Sequence, residues 1–256
     1  MQLTCSPTVC PELELTAALE FFRQAGFNRT ELFRNWTQSS PVQDKISIPM
    51  VRDQLAAAGV TLTGFNIRQL TGRKADSNER NLSYNLRQLE WDIHLGRALG
   101  LGCVSLKGGA RTDEALVDLI FGVNRLLENI PDIKLNLGNH KGNRLERLSD
   151  FQAILPHLHE RAYILMDTGH LLSVGEDPLA FADALSSRIG LVHLRDQKKD
   201  KPVAFGTGDL PLAALLDILQ NTGYDGELVV ELEDVDWDEP LAATIAAREY
   251  IEKLLA

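Results

Sequence analysis

Asp167, His193 and Glu231 are residue types that bind divalent metal ions, and each stands at or near the end of a short apolar run. Carboxylate and imidazole ligands that leave coordination positions open suit Mn, Mg, Co or Zn acting as a Lewis acid. Taken singly, an aspartate before Thr-Gly is more often a turn residue or helix cap, and a histidine in an apolar strand more often packs in the core. Because the three occupy matching positions, we predict that they form one metal site.

Basic residues and histidines collect at the same kind of position. They are Arg34, Arg68, Lys107, His140, Lys141, His170 and Arg195. This clustering is informative because the chain as a whole is acidic, with a formal net charge of -10. It indicates a cationic pocket for a carboxylate or a phosphate, although two or three of the basic residues are expected to be solvated loop charges. A lysine at such a position can also form a Schiff base, but an anion-binding lysine is the more common case.

Eight short apolar runs alternate with amphipathic helical runs and would position these side chains. The predicted strands cover residues 2–5, 29–33, 61–67, 103–106, 133–137, 162–166, 190–194 and 227–232. The predicted helices cover residues 15–25, 49–59, 82–99, 113–129, 148–159, 177–187, 210–222 and 240–255. Trp91 and Phe121 are expected to pack between the helices and the strands.

This alternation predicts the fold. Strict βα alternation implies parallel strands, and eight units in 256 residues favour closure into a barrel. The alternative is an open doubly wound sheet, which usually carries a glycine-rich loop after its first strand, whereas this chain reads SPTVCPELE there. We therefore predict one α/β domain over residues 1–256, a single (β/α)8 TIM barrel, with its active site at the C-terminal ends of the strands.

Composition excludes several other classes of protein. The negative charge disfavours nucleic acid as a partner, and no apolar run approaches the roughly 18–20 residues that cross a bilayer. The first residues do not read as a signal peptide, and the three cysteines (Cys5, Cys10 and Cys103) argue for reduced thiols. We expect a cytoplasmic enzyme with a small-molecule substrate, without a nucleic-acid or membrane partner, and leave a homo-oligomer open.

Motifs in the C-terminal half resemble those of the xylose-isomerase-like TIM-barrel superfamily, which contains sugar phosphate isomerases and epimerases, dehydratases and family 2 apurinic endonucleases. The motifs are NHKG at 139–142, DTGH at 167–170, HLRD at 193–196, GTGDL at 206–210 and GYDG at 223–226. The resemblance implies that Asp167, His193 and Glu231 hold a metal, with Glu233 as a weaker candidate for the last. The family's fourth ligand, a glutamate on strand five, is Gly138 here, which leaves its place to His140, His170 or water.

The resemblance implies a metal-dependent isomerase or epimerase acting on a small, anionic, sugar-derived substrate through an enediolate. Glu231 would accept the proton, with His140 or Lys107 as further catalytic groups, and the substrate-binding residues would be Arg34, Arg68, Lys107, Lys141, His170 and Arg195. The alternative is a decarboxylase or other lyase acting on a keto-sugar acid, which needs fewer proton-transferring groups. A DNA-repair endonuclease would need histidines that strands two to four lack, and a non-catalytic scaffold would purify without metal.

Overall fold

The structure is a computed structural model that describes residues 1–70, 82–199, 201–233 and 237–256. Within these residues, parallel strands close into a barrel in which they follow their order in the chain, with the last strand paired to the first. The strands are β1 (Gln2–Cys5), β2 (Arg29–Phe33), β3 (Thr61–Asn66), β4 (Cys103–Lys107), β5 (Lys134–Gly138), β6 (Ala162–Asp167), β7 (Ile189–Leu194) and β8 (Glu227–Val230). The predicted (β/α)8 TIM barrel is confirmed.

Helices surround this barrel. In the described part of the chain they are α1 (Leu15–Gln24), α2 (Ile48–Ala58), α3 (Leu82–Ala98), α4 (Asp113–Asn129), α5 (Leu148–Ile154), α6 (Thr168–Ser173), α7 (Pro178–Leu185), α8 (Leu212–Asn221) and α9 (Pro240–Leu255). None of these helices combines the length and the apolar character that crossing a membrane requires.

Local sequence explains where the helices begin and end. Before α2, the Ser47 side chain accepts a hydrogen bond from the backbone N–H of Met50, and after it Gly59 takes a left-handed conformation with φ of 64°. The fifth helix, predicted over residues 148–159, was too long. The α-helix α5 ends at Ile154 and is followed by a 3-10 turn. Pro156 lies in that turn and cannot donate the backbone hydrogen bond that would extend the α-helix.

The core lies between the barrel and the inner faces of the helices. Phe22, Phe65 and Phe151 are among its largest fully buried side chains. The expectation that Trp91 and Phe121 pack in this layer was wrong, because they are 53% and 57% exposed. Both lie on the outer faces of α3 and α4, where a helical apolar pattern alone does not distinguish the barrel side from the solvent side.

Candidate active site

His193 lies between two carboxylates at the C-terminal ends of the strands. Its Nε2 is 3.1 Å from Glu31 Oε2, and its Nδ1 is 3.3 Å from Glu231 Oε1. All three side chains are buried. One ligand atom from each residue lies within 4.8 Å of the others, so these three residues can bind a single metal ion. We call Glu31, His193 and Glu231 the metal group.

The donor atoms of the metal group fit a divalent cation. Among the described residues, neither Glu31 Oε1 nor Glu231 Oε2 has a hydrogen-bond partner, although both atoms are buried. A buried carboxylate oxygen without a partner is costly, and a cation would satisfy both. Burial by itself lowers the pKa of His193, but Glu31 and Glu231 outweigh burial and hold this pKa well above its ordinary value. A metal ion would take the place of the proton that this charge arrangement favours.

Barrel closure brings the metal group together. Glu31 belongs to β2, which is separated from β7 around the barrel by β1 and β8. Glu31 pairs in register with Gly64, where an added Cβ would lie only 3.3 Å from the Glu31 Cβ. The absence of a side chain at Gly64 therefore leaves room for Glu31. Asn66 then donates a hydrogen bond of 2.8 Å to Glu31 Oε2 and orients the carboxylate.

Asp167 lies beside the metal group rather than within it. Its Oδ1 accepts a hydrogen bond from the backbone N–H of His170 and so caps α6, a short helix that the sequence reading did not include. The Asn139 side chain exchanges two hydrogen bonds of 2.9 and 2.7 Å with the Asp167 backbone. Burial raises the pKa of Asp167, but His170 and Arg195 outweigh it and hold that pKa below its ordinary value. Its role as a metal ligand stays a prediction.

Arg195 holds two carboxylates beside the metal group. Its Nη2 is 3.4 Å from Asp167 Oδ1, and its Nη1 donates to Glu233 Oε1. The buried guanidinium packs against Gly169, where an added Cβ would lie 2.0 Å from Arg195 Nε. Burial raises the pKa of Glu233 to about 8, with a further contribution from the nearby Glu231. Arg195 thus organises acidic side chains, and among the described residues it does not line the cavity described next.

A cavity of about 530 Å³ opens next to the metal group. Asn66 lines this cavity and also donates a hydrogen bond to Glu31, so this residue links the cavity to the metal group, although Glu31, His193 and Glu231 do not themselves line it. The predicted site residues along its wall are Arg34, Arg68, Lys107, His140 and Glu233, the weaker candidate metal ligand. Lys141, by contrast, is exposed on the following loop and, among the described residues, is not part of the cavity wall.

Strands β4 and β5 form the side of the site where the family's fourth ligand would lie. Gly138 occupies that position and has no side chain to bind a metal. Lys107 pairs in register with Gly138, and a Cβ there would lie 3.6 Å from Lys107 Cγ, an ordinary contact. The rings of His140 and His170 are in contact nearby, with centroids 3.9 Å apart and planes tilted by 48°. Burial and Lys107 lower the pKa of His140, and burial lowers the pKa of His170 to about 4 although Asp167 opposes it. Both shifts favour the neutral imidazole.

Sequence reasoning missed Glu31 as a member of the metal group and Asp92 as a partner of the cavity arginines. Each residue left a signal in the sequence. Glu31 is an acidic residue inside an apolar strand, RTELF. Asp92 falls on the buried face of α3, three residues after Leu89 and four before Gly96.

The sequence profile of the family described as "Xylose isomerase-like TIM barrel" matches residues 19–254, and the chain therefore belongs to this family. A Streptomyces coelicolor protein named "Putative hydroxypyruvate isomerase" is 31% identical over 263 residues, which cover 93% of this chain and 91% of that protein. The inosose dehydratase of Clostridium tetani is 30% identical over 168 residues, which cover 57% of this chain and 56% of that protein. The 3-dehydroshikimate dehydratase of Pseudomonas putida is 27% identical and matches over 36% of its own length. The chain thus spans about half the length of the inosose dehydratase and about a third of the length of the 3-dehydroshikimate dehydratase.

Solved structures share the fold. The structure of L-ribulose 3-epimerase superimposes with a TM-score of 0.80 at 19% identity, covering 100% of this chain and 95% of that one. The IolI protein with a bound zinc atom gives a TM-score of 0.82 at 16% identity, covering 100% and 98%. These similarities establish the barrel. The curated sequence relatives include a putative isomerase and dehydratases, so they indicate an enzyme without fixing its reaction.

Proposed function

We propose that this protein is a divalent-metal-dependent enzyme of the isomerase and epimerase type, acting on a small, anionic, sugar-derived hydroxy-ketone through an enediolate. The observation that carries the proposal is the metal group, in which two buried carboxylate oxygens lack a partner among the described residues. A bound divalent ion would polarise the substrate carbonyl and stabilise charge on its oxygen. The donor set suits Mn, Mg, Co or Zn.

Glu231 is our proposed proton acceptor. It directly follows β8, with one carboxylate oxygen on His193 and the other without a partner among the described residues. An isomerisation moves a proton between adjacent carbons on one face of the enediolate, so one base can remove and return it. Epimerisation at a single carbon needs an acid or base on each face. With Gly138 on β5, the site favours isomerisation.

The opposite wall supplies groups that bind and protonate oxygen atoms. Lys107 and His140 both line the cavity. A neutral His140 can donate or accept a hydrogen bond, and its ring is in contact with His170 while its Nδ1 lies 2.8 Å from the Lys141 backbone oxygen. We propose Lys107 as a binding group for the substrate's negative charge and His140 as the group that exchanges a proton with a substrate oxygen.

The remaining predicted residues take more distant roles in this proposal. Asp167 is the proposed additional metal ligand, supported by its register pairing with His193. Arg195 acts on the substrate through Asp167 and Glu233, whose carboxylates it holds. Lys141 would reach the substrate only if its exposed loop closed over the cavity. We also propose a cytoplasmic location, which the three free cysteines support.

A lyase is the second candidate function, and a specific observation favours it. Gly138 supplies no second base, and its register partner Lys107 brings a positive charge that suits a substrate carboxylate. Loss of CO2 creates an enediolate without a base. Two of the three curated relatives described above are dehydratases, which are also lyases.

Metal analysis tests the shared part of both proposals. Glu31→Gln, His193→Asn and Glu231→Gln should each reduce bound divalent metal by at least about 10-fold, measured by elemental analysis of the purified protein. Glu252→Gln, on the exposed face of α9, is the matched control and should keep the wild-type content. Wild-type metal content in all three variants would remove the metal-dependent proposal.

Isotope exchange separates the two reactions. The metal-loaded protein is incubated in deuterated water with a neutral ketose and, in parallel, with a keto-sugar acid. Deuterium entering the carbon next to the carbonyl without CO2 release supports the isomerase. CO2 release, or loss of water from the substrate, together with no exchange into either compound, supports the lyase and overturns the isomerase.

A further inference from the structure

We propose that the part of the cavity wall formed by Arg34, Arg68 and Trp36 binds a terminal anionic group of the substrate, a carboxylate or a phosphate ester. The substrate would then be a carbon chain that reaches this distal subsite while its hydroxy-ketone lies at the metal group. This inference rests on the proposed function, because it names the class of substrate that the same cavity takes.

Charge balance is the first observation. Arg34 Nε is 2.8 Å and Arg68 Nη1 is 3.5 Å from the same atom, Oδ1 of Asp92. Asp92 comes from α3 and is completely buried. Among the described residues, one carboxylate therefore serves two guanidinium groups, which leaves the pair with an excess positive charge.

Unused hydrogen-bond donors are the second observation. Arg34 otherwise donates from Nη1 to the Asn35 side chain, and Arg68 donates from Nη1 to the backbone oxygen of Gln88. Among the described residues, Nη2 of Arg34 and both Nε and Nη2 of Arg68 have no acceptor. The side chains are only 15% and 26% exposed, and both line the cavity. A guanidinium held by a carboxylate on one edge and open on the other suits a planar or tetrahedral anion.

Trp36 is the third observation. Its φ of 89° lies in a region that large side chains rarely adopt, and its side chain is 73% exposed. Trp36 lines the cavity next to Arg34. A strained backbone that presents a broad apolar ring at a cavity points to a ligand contact. The ring would cover the carbon chain between the metal group and the bound anion.

Cavity size agrees with a substrate of several carbons. A volume of about 530 Å³ lies within the range of pockets for ligands far larger than a three-carbon acid such as hydroxypyruvate. Asn66, which binds Glu31, lines the same cavity as Arg34 and Arg68, which follow β2 and β3. A short acid would leave most of this space to water.

Calorimetric titration tests the distal subsite with three five-carbon probes: D-ribonate, D-ribose 5-phosphate and the neutral ribitol. The wild-type protein, carrying the metal with which it purifies, should bind at least one of the two anions more tightly than ribitol. Arg68→Gln should weaken that anion about 10-fold or more and leave ribitol unchanged. The anion whose affinity falls more in this variant identifies the natural group as a carboxylate or a phosphate ester.

Two further variants guard against a folding artefact. Arg34→Gln/Asp92→Asn removes one charge of each sign, so no unpaired buried carboxylate remains, and it should also weaken the anion. Arg125→Gln removes an exposed arginine on α4 that approaches only Glu128 among the described residues, and it should bind all probes as the wild type does. Thermal unfolding of each variant confirms that it is folded.

The distal subsite is overturned if neither anion binds more tightly than ribitol, if both cavity variants keep wild-type anion affinity, or if ribitol weakens equally. Metal content measured on the same samples separates this result from the proposed function. If anion binding requires Arg68 but the protein holds no metal, only the metal-dependent reaction is contradicted. If the protein holds stoichiometric metal but its anion affinity does not depend on the arginines, only the distal subsite is contradicted.

Discussion

Two substitutions of Gly138 test two separate properties of this position. Alanine tests whether a side chain has room there, and glutamate tests what a carboxylate would do there. A Cβ at 138 would lie 3.6 Å from Lys107 Cγ and 3.7 Å from Leu165 Cδ2, which are ordinary contacts. The φ of Gly138 is not positive, so another residue can adopt its backbone conformation. Neither sterics nor backbone strain therefore requires glycine.

Alanine at this position should stabilise the barrel slightly. It restricts the unfolded chain without a clash in the folded one, a change that contributes about 0.4–1 kcal/mol. For a chain of this length the midpoint of thermal unfolding should rise by about 1–4 °C. Calorimetry measures the shift, and metal content should stay at the wild-type value.

Glutamate should change the chemistry instead. It places a carboxylate beside Lys107, across the site from Glu231, and supplies the second base that epimerisation needs. Deuterium exchange and inversion at the carbon next to the carbonyl of a neutral ketose should rise by about 100-fold, the lower end of what a positioned base contributes. Affinity for an anionic substrate should fall, because Lys107 would be paired.

Two results would refute this reasoning. A loss of more than about 1 kcal/mol in Gly138→Ala would show that the position has no room for a side chain. Wild-type exchange, inversion and anion affinity in a folded, metal-loaded Gly138→Glu would show that Lys107 and position 138 do not face the substrate. Nuclear magnetic resonance of the ketose in deuterated water measures exchange and inversion in one experiment.

Three further predictions concern other positions. Asp167→Ala should lower metal content or activity by about 10–100-fold, and unchanged values of both would exclude it as a ligand. Gly169→Ala should destabilise the fold by about 1–3 kcal/mol in urea unfolding, because the new Cβ would lie 2.0 Å from Arg195 Nε, and wild-type stability would contradict this. Burial raises the pKa of Asp150, but hydrogen bonds from Arg111 and backbone N–H groups outweigh burial and hold that pKa below its ordinary value. The carboxylate therefore stabilises the fold above about pH 4, and this contribution is lost as the pH falls through the lower folded pKa. Asp150→Asn should be less stable than the wild type at pH 7, with a difference that shrinks below about pH 4; a pH-independent difference would contradict the assignment.

The barrel could be predicted because its signals are local. Alternating apolar strands and amphipathic helices, with Ser47 and Gly59 bounding one helix, depend on residues within a few positions of each other. The parallel arrangement then places all strand C-termini at one end, so the candidate residues could be assigned to one site. His193 and Glu231 were predicted in this way to share one metal site, and the structure brings their side chains together, while their role as ligands stays a prediction.

Charge distribution within the site could not be read from the chain. Arg195 and Arg34 both follow a strand, yet one is buried between Asp167 and Glu233 and the other lines the cavity. The difference depends on which carboxylate lies next to each guanidinium, and Asp92 is 58 residues from Arg34. Position at the end of a strand does not distinguish a basic residue that is buried between carboxylates from one that lines the cavity.

The sequence by itself determined the (β/α)8 architecture and the end of the barrel that carries the chemistry, because helix and strand periodicity is encoded over short windows. Only the tertiary structure decided which carboxylates meet His193. Glu31 is 162 residues away in the chain and reaches Nε2 because β1 and β8 close the barrel between β2 and β7. Asp167 is opposite His193 in register, but its carboxylate caps α6. Contacts across a closed sheet depend on register and side-chain orientation, which no local pattern records.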